Sequence, residues 1–306
     1  MKRRFLVTSL FLALFALPEM ARAAEPLVSV AWLREHLNDP DIVVLDLRGR
    51  LSGATRADYL EAHIPGAVHS DYLSAGWRRT VDGVPGQLPP AAEIEALVGS
   101  LGIGNEHHVV IAAGVLSAID MAVATRVYWT FKVYGHDGVS VLDGGVRAWF
   151  AATPDLVEQG PVERAPAQFR ARLRPGLLAG RAEVEQAAAN GVALVDNRPP
   201  PFYDGRAKLP FTEAAGTIAG ARNIPEGWLV GQDGHFVSPD ALEALHRDRG
   251  IAGGPAITFC NTGHWASLGW FVQSEILGRD QVKLYDGSVA DWALAGGSLE
   301  KGVADQ

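Results

Sequence analysis

The chain contains a single cysteine, Cys260, so any thiol chemistry must be built on it. Cys260 directly follows the apolar run Ala256-Ile257-Thr258-Phe259. After it come Asn261-Thr262-Gly263-His264-Trp265 and a helix-like stretch from Ala266 to Leu277. The sulfur is therefore expected on a tight strand-to-helix turn. In such a turn successive backbone N–H groups converge and the positive end of the helix faces the same point. A thiolate, or an anion attached to its sulfur, is stabilised there. The residues alone leave two readings open: a reactive thiolate, or a buried core cysteine closing a strand. Competing cysteine chemistries fail on spacing. A cysteine-dependent phosphatase needs an arginine six positions on to clamp phosphate, and Ala266 stands there. A redox pair needs a second cysteine three positions on, and Gly263 stands there. A cysteine hydrolase needs an oriented histidine base, and His264, within the same turn, is badly placed for that. One cysteine also excludes an internal disulfide framework and a multi-cysteine zinc site. His107 and His108, adjacent before a strand, face opposite ways and make a poor metal pair.

The elements that must position this turn occur twice. Leu45-Asp46-Leu47-Arg48 resembles Val195-Asp196-Asn197-Arg198, 150 residues later. His63-Ile64-Pro65-Gly66-Ala67 resembles Thr217-Ile218-Ala219-Gly220-Ala221. Val141-Leu142-Asp143-Gly144-Gly145, with Trp149 following, resembles Lys283-Leu284-Tyr285-Asp286-Gly287-Ser288, with Trp292 following. Three matched segments in one order define two copies of one fold. Short Val, Leu and Ile runs predict buried strands at Ile42–Leu45, Val109–Ala112 and Val139–Leu142. The second copy has them at Ala193–Val195, Ala256–Phe259 and Val282–Tyr285. Ser29 opens a helix whose apolar face holds Val30, Leu33 and Leu37. Ser238-Pro239 opens another, with Leu242 and Leu245 on one face and Gly250 as its left-handed stop. This alternation predicts two α/β domains, each a mainly parallel sheet covered by helices on both faces. In such sheets sites lie at the carboxyl ends of strands. Pro154, Gly160, Pro161, Pro166 and Pro175 mark 154–175 as a linker between domains over 24–153 and 176–306.

In these motifs the chain resembles the rhodanese family of sulfurtransferases in its tandem two-domain form, over nearly all of 24–306. The resemblance rests on the two Asp-x-Arg strand ends, the two HIPGA-like turns, the Asp-Gly turns before Trp149 and Trp292, and the cysteine loop. It implies that Cys260 is catalytic and carries a persulfide. It also implies that the loop Asn261, Thr262, Gly263, His264, Trp265 and Ala266 surrounds the bound sulfur, its N–H groups stabilising the persulfide anion. Ala113 occupies the cysteine position of the first copy. By resemblance the first domain is therefore inactive and supports the second, with the site in the cleft between them. The implied reaction is a double displacement. Cys260 takes the outer sulfur of a donor such as thiosulfate, sulfite leaves, and cyanide or a thiol accepts the sulfur. The implied partners are a small-molecule sulfur donor and a thiophilic acceptor, which includes a protein thiol. No metal or organic cofactor is required.

Two departures bear on the donor. Thiosulfate-using relatives place basic residues in the cysteine loop, and mercaptopyruvate-using relatives carry a small neutral Cys-Gly-Ser-Gly-type loop. Cys-Asn-Thr-Gly-His-Trp matches neither, and His264 is its only residue able to become cationic, facing either substrate or solvent. Tandem relatives often place a substrate-binding arginine four residues after the Asp-x-Arg arginine, and here that position is Phe202. Arg198 is a candidate substrate contact, or else ties its strand end to a neighbouring carboxylate. Arg206 and Lys208 are candidates to replace the missing clamp, or else plain surface charges. Trp265 is expected to shape the pocket wall, His63 to be a satisfied turn residue, and Trp149 and Trp292 to pack under the Asp-Gly turns. Thiosulfate is the expected donor. The alternatives are 3-mercaptopyruvate, a persulfide carrier with little turnover, and an inert buried thiol.

Composition frames these expectations. Lys2, Arg3 and Arg4 precede the apolar run Phe5–Leu17, and Ala21-Arg22-Ala23 supplies small residues at the positions a signal peptidase reads. Residues 1–23 therefore read as a secretory signal, and the mature chain as periplasmic. The apolar run is short for a membrane span, which needs roughly 20 residues. The 306-residue chain has a formal charge of −8. Residues 1–23 hold four cations and one carboxylate, so the 283 that remain carry −11. So acidic a chain lacks the Lys and Arg excess that drives binding to nucleic acid or to an anionic membrane. The same charge denies a dianionic donor any long-range steering.

Overall fold

A computed structural model describes residues 24–114, 116–251 and 253–303, so the leader expected over 1–23 lies outside the described residues. The first domain runs β1 (Leu27–Val28), α1 (Val30–His36), β2 (Ile42–Asp46), α2 (Arg56–Glu61) and β3 (Val68–His69). It continues with a hairpin of β4 (Arg79–Val81) and β5 (Val84–Gln87), then α3 (Ala91–Ser100), β6 (His108–Ala112), α4 (Ala118–Val133), β7 (Val139–Leu142) and α5 (Gly145–Ala152). The second runs β8 (Leu178–Ala179), α6 (Arg181–Gln186), β9 (Ala193–Asp196), α7 (Pro200–Tyr203), β10 (Arg222–Asn223) and α8 (Pro239–Asp248). β11 (Ala256–Phe259), α9 (His264–Phe271), β12 (Val282–Tyr285) and α10 (Ser288–Leu294) complete it.

Each domain is a five-stranded parallel sheet, ordered β1-β7-β6-β2-β3 in the first and β8-β12-β11-β9-β10 in the second. The central strands are buried on both faces, which is why they read as unbroken apolar runs and not as alternating ones. Val43, Leu45, Val109 and Ile111 point to the side of α3 and α4, whereas Val44, Val110 and Ala112 point to the side of α1 and α5. The repeat is visible in the hydrogen bonds. Asp46 aligns with Ala112, and Asp196 with Phe259, so Ala113 and Cys260 are equivalent. The Val146 N–H donates to the Ala113 carbonyl at 2.9 Å as Val289 does to Cys260 at 3.0 Å. Trp149 and Trp292 donate their indole N–H to Leu156 and Ser298 carbonyls, each at 2.9 Å.

The domains are joined through the equivalent helices α4 and α9, which pack on one another. One hydrophobic core passes from the first sheet through these helices into the second, including Met121, Val127, Leu268, Trp270 and Leu284. Residues between α5 and β8 hold no regular helix until a 3-10 turn at Pro175–Leu177, and they lie along the first domain. Phe169 is buried, and Arg172 and Arg174 donate backbone N–H groups to the Tyr134 and Val133 carbonyls. No helix among the described residues is long and apolar enough to cross a membrane.

Candidate active site

Cys260 ends β11 at the carboxyl edge of the second sheet, between the ends of β9 and β12, and its side chain is fully buried. The turn after it is held from beneath by the start of α10. Ser288 Oγ accepts the N–H groups of Cys260 (3.0 Å) and Gly263 (3.1 Å) and donates to the Tyr285 carbonyl (2.8 Å). Val289 and Ala290 donate first-turn N–H groups to the carbonyls of Cys260 and Asn261, each at 3.0 Å. The otherwise unpaired donors of one helix thus fix the loop from which the next begins. Gly263 takes φ +75, and a Cβ there would lie 2.6 Å from Arg126 Nη1 and 2.7 Å from the Asp286 carbonyl oxygen. The amides of Asn261 and Thr262 donate to no group among the described residues, and both precede the amino end of α9.

The first domain supplies the rest of the surroundings. Arg126 of α4, fully buried, pairs with Asp286 at 2.6 Å and donates to the Gly263 carbonyl at 3.1 Å. Arg78, just before β4, donates through Nη2 to the Thr262 carbonyl (2.7 Å) and hydroxyl (3.0 Å), and through Nε to the Gly86 carbonyl (3.0 Å). His264 lies between the domains. Its Nε2–H donates to the Ile119 carbonyl at 3.1 Å, so Nδ1 accepts the Tyr72 hydroxyl at 3.0 Å. Burial, reinforced by the charges of Arg78 and Arg126, pulls His264 down to about 3. Burial likewise holds the Tyr72 phenol above its usual range, so it stays a neutral donor.

These facts correct several expectations. His264 is not a loop cation, and both of its nitrogens are occupied by first-domain groups. Arg198 is 2 % exposed, with Nε 2.9 Å from Asp196 Oδ1 and Nη2 2.8 Å from the Gly216 carbonyl. It ties the strand end together, as Arg48 does with Asp46 and Ala62. Arg206 pairs with Asp204 and is exposed, and Lys208 donates to the Glu213 carbonyl. Phe202 does sit beside the cysteine loop, its ring centroid 6.3 Å from that of Trp265, so the position of the expected arginine clamp is an apolar wall. Asn261 and Ala266 are buried, and Thr262 is half-buried. His63 stacks on Tyr59 and donates Nδ1–H to its carbonyl. His107 and His108 border one cavity near the start of β6, each with a hydrogen-bond partner, Gly104 N–H and Ser140 Oγ.

Sequence reasoning passed over Tyr72, Arg78, Arg126 and Ser288. Only Ser288 left a usable signal. It aligns with Gly145, which takes φ +55, yet Ser288 takes φ +51. A serine kept where glycine is the easy choice points to a use for its hydroxyl.

A two-domain α/β protein with one thiol on a strand-to-helix turn, and alanine at the equivalent place in its other half, is a tandem arrangement with one site. The chain belongs to the rhodanese-like domain family, which it matches over residues 29–152 and 181–295. It is 33% identical over 276 residues to the thiosulfate sulfurtransferase of Rattus norvegicus, covering 87% of this chain and 91% of that one. It is similar to the structure of a 3-mercaptopyruvate sulfotransferase from Escherichia coli, with TM-score 0.74 and 28% identity, covering 87% of this chain and 99% of that one. An anaerobic ergothioneine biosynthesis enzyme from Chlorobium limicola shares the fold, with TM-score 0.78, 22% identity and coverage of 92% and 71%.

Proposed function

We propose that this protein is a rhodanese-type sulfurtransferase that moves a sulfane sulfur from thiosulfate, through a persulfide on Cys260, to a thiophilic acceptor. The observation that carries the reading is the cysteine turn. The amides of Asn261 and Thr262 have no acceptor among the described residues, and the turn is locked by Ser288 and α10. In the first half-reaction the Cys260 thiolate attacks the outer sulfur of thiosulfate. The S–S bond of the donor breaks, and sulfite leaves with the electron pair. The terminal sulfur of the persulfide anion then lies against those amides, which are aimed before the charge arrives. In the second half-reaction cyanide or a thiolate takes that sulfur and the thiolate returns. The acceptors fitting this chemistry are small thiophiles and protein thiols.

The test is sulfur transfer to cyanide by the mature chain. Thiosulfate and 3-mercaptopyruvate are supplied separately, with Cys260→Ser as control. Turnover with thiosulfate, lost in the variant, is expected. Turnover confined to 3-mercaptopyruvate would reassign the donor, and activity surviving in Cys260→Ser would refute the persulfide. We further propose that residues 1–23 direct export. The same assay on cell fractions then finds the activity in the periplasm of cells making the full chain, and in the cytoplasm when 1–23 are deleted.

A further inference from the structure

The neutral cysteine loop and the apolar Phe202 supply no cation for an anionic donor. The first domain has one. Its β4–β5 hairpin turns at Asp82 (φ 50) and Gly83 (φ +80), and Arg78 lies at its base. A cavity of about 330 Å³ lies between the hairpin and the cysteine loop. Tyr72, Arg78, Arg79, Thr80 and Gly86 of the first domain line it together with Thr262 of the second. Two guanidinium groups and three hydroxyl side chains border it, and no carboxylate does, in a chain whose formal charge is −8. Arg79 is held by Glu93, whereas Arg78 gives Nε and Nη2 to the Gly86 and Thr262 carbonyls and the Thr262 hydroxyl, and its guanidinium lies 5.7 Å from the Tyr72 ring centroid and engages that side chain. No carboxylate among the described residues pairs with Arg78, so its charge is not neutralised. Thr262 is two residues from the sulfur, so an anion in this cavity touches the loop that carries Cys260.

We propose that this interdomain cavity is the docking subsite for the anionic end of the sulfur donor, and that Arg78 of the non-catalytic domain is the residue that recognises it. This rests on the sulfur-transfer reading above and deepens it. Arg78 is pre-positioned by its two carbonyl contacts, so little side-chain freedom is lost on binding. It takes the part for which the second domain's own sequence has no residue. A sulfonate or a carboxylate fits the same donors, and the dianion gains more from them.

The experiment compares alkylation of Cys260 by iodoacetate and by neutral iodoacetamide in the wild type, Arg78→Ala and Arg78→Lys. Thiosulfate KM is measured on the same proteins. The expected result is that Arg78→Ala slows iodoacetate about 10-fold or more and leaves iodoacetamide within about 2-fold. Thiosulfate KM rises about 10- to 100-fold, the range for losing a charged hydrogen bond, and Arg78→Lys restores much of both. Equal changes with the two reagents would mean that Arg78 only shapes the Thr262 turn, and no change with either would leave the cavity without a role. Both outcomes overturn the proposal. A wild type that prefers iodoacetate through Arg78, yet never turns over thiosulfate, would sink the donor assignment while upholding the anion subsite.

Discussion

Ser288 concentrates the local logic of the site in one side chain. Its left-handed backbone costs a non-glycine residue about 1–2 kcal/mol, and its hydroxyl gathers the amides of Cys260 and Gly263. Ser288→Ala keeps the strained backbone and strands two buried N–H groups. Ser288→Gly relieves the strain but strands the same groups. Loss of about 1–3 kcal/mol is expected for alanine and less for glycine, with persulfide formation slowed in both. Denaturant unfolding and single-turnover loading with thiosulfate measure the two effects. A glycine variant loading at the wild-type rate would show that the hydroxyl is dispensable to the turn. Phe202 was legible as a departure, but its consequence was not. Only contact with Trp265 shows that it walls the site, and only the bonds to Asp196 and Gly216 show that Arg198 is buried in its strand end.

The cysteine turn is an element built from two helix starts. α9 begins beyond the loop and presents its amino end to it, while α10 spends its first amides on the loop carbonyls. Gly263 is the pivot, because both its φ and the approach of Arg126 and Asp286 exclude a Cβ. Gly263→Ala is expected to push the first domain away from the loop. Sulfur transfer should fall at least about 10-fold, with a stability loss of about 1–3 kcal/mol, read by steady-state kinetics and thermal melting. An alanine variant with unchanged kcat/KM would show that the Arg126 contact does not hold the turn. The strands and most helices around this element were readable because buried parallel strands are continuous apolar runs. The β4–β5 hairpin was missed, although Val81-Asp82-Gly83-Val84 is a short-turn signal. Its strands are brief and Val84 is their one buried residue, so they carry no hydrophobic pattern.

Across the whole molecule, the domain interface sets protonation. His264 is held near 3, below its unfolded value of 6.5, so below pH 6.5 the unfolded chain binds a proton that the folded one refuses. That lowers stability by about 2 kcal/mol at pH 5. Glu226 acts oppositely. Burial pushes it up to about 7, so the folded chain keeps a proton that the unfolded one releases above about 4.5, and stability falls as pH rises through that range. His108, drawn to about 4 by burial and less enclosed, adds to the His264 effect. In the wild type Glu226 therefore offsets about half of the combined His264 and His108 effect between pH 6.5 and 5. Glu226→Gln, freed of the opposing group, should lose at least about 2 kcal/mol over the same range. Urea unfolding at the two pH values checks this, and a flat profile in the variant would mean that His264 is solvated.

By itself the sequence determined the repeat, the two parallel sheets, the thiol on its turn and the alanine that replaces it in the first copy. Those are short-range facts, written in apolar runs, turn residues and spacing within each copy. Tertiary structure alone decided the charge of the site. The cations near Cys260 come from Arg78 and Arg126, well over a hundred residues away in the chain, and His264 is neutral because the other domain covers it. Charge and burial depend on distance through space, and packing α4 against α9 sets those distances.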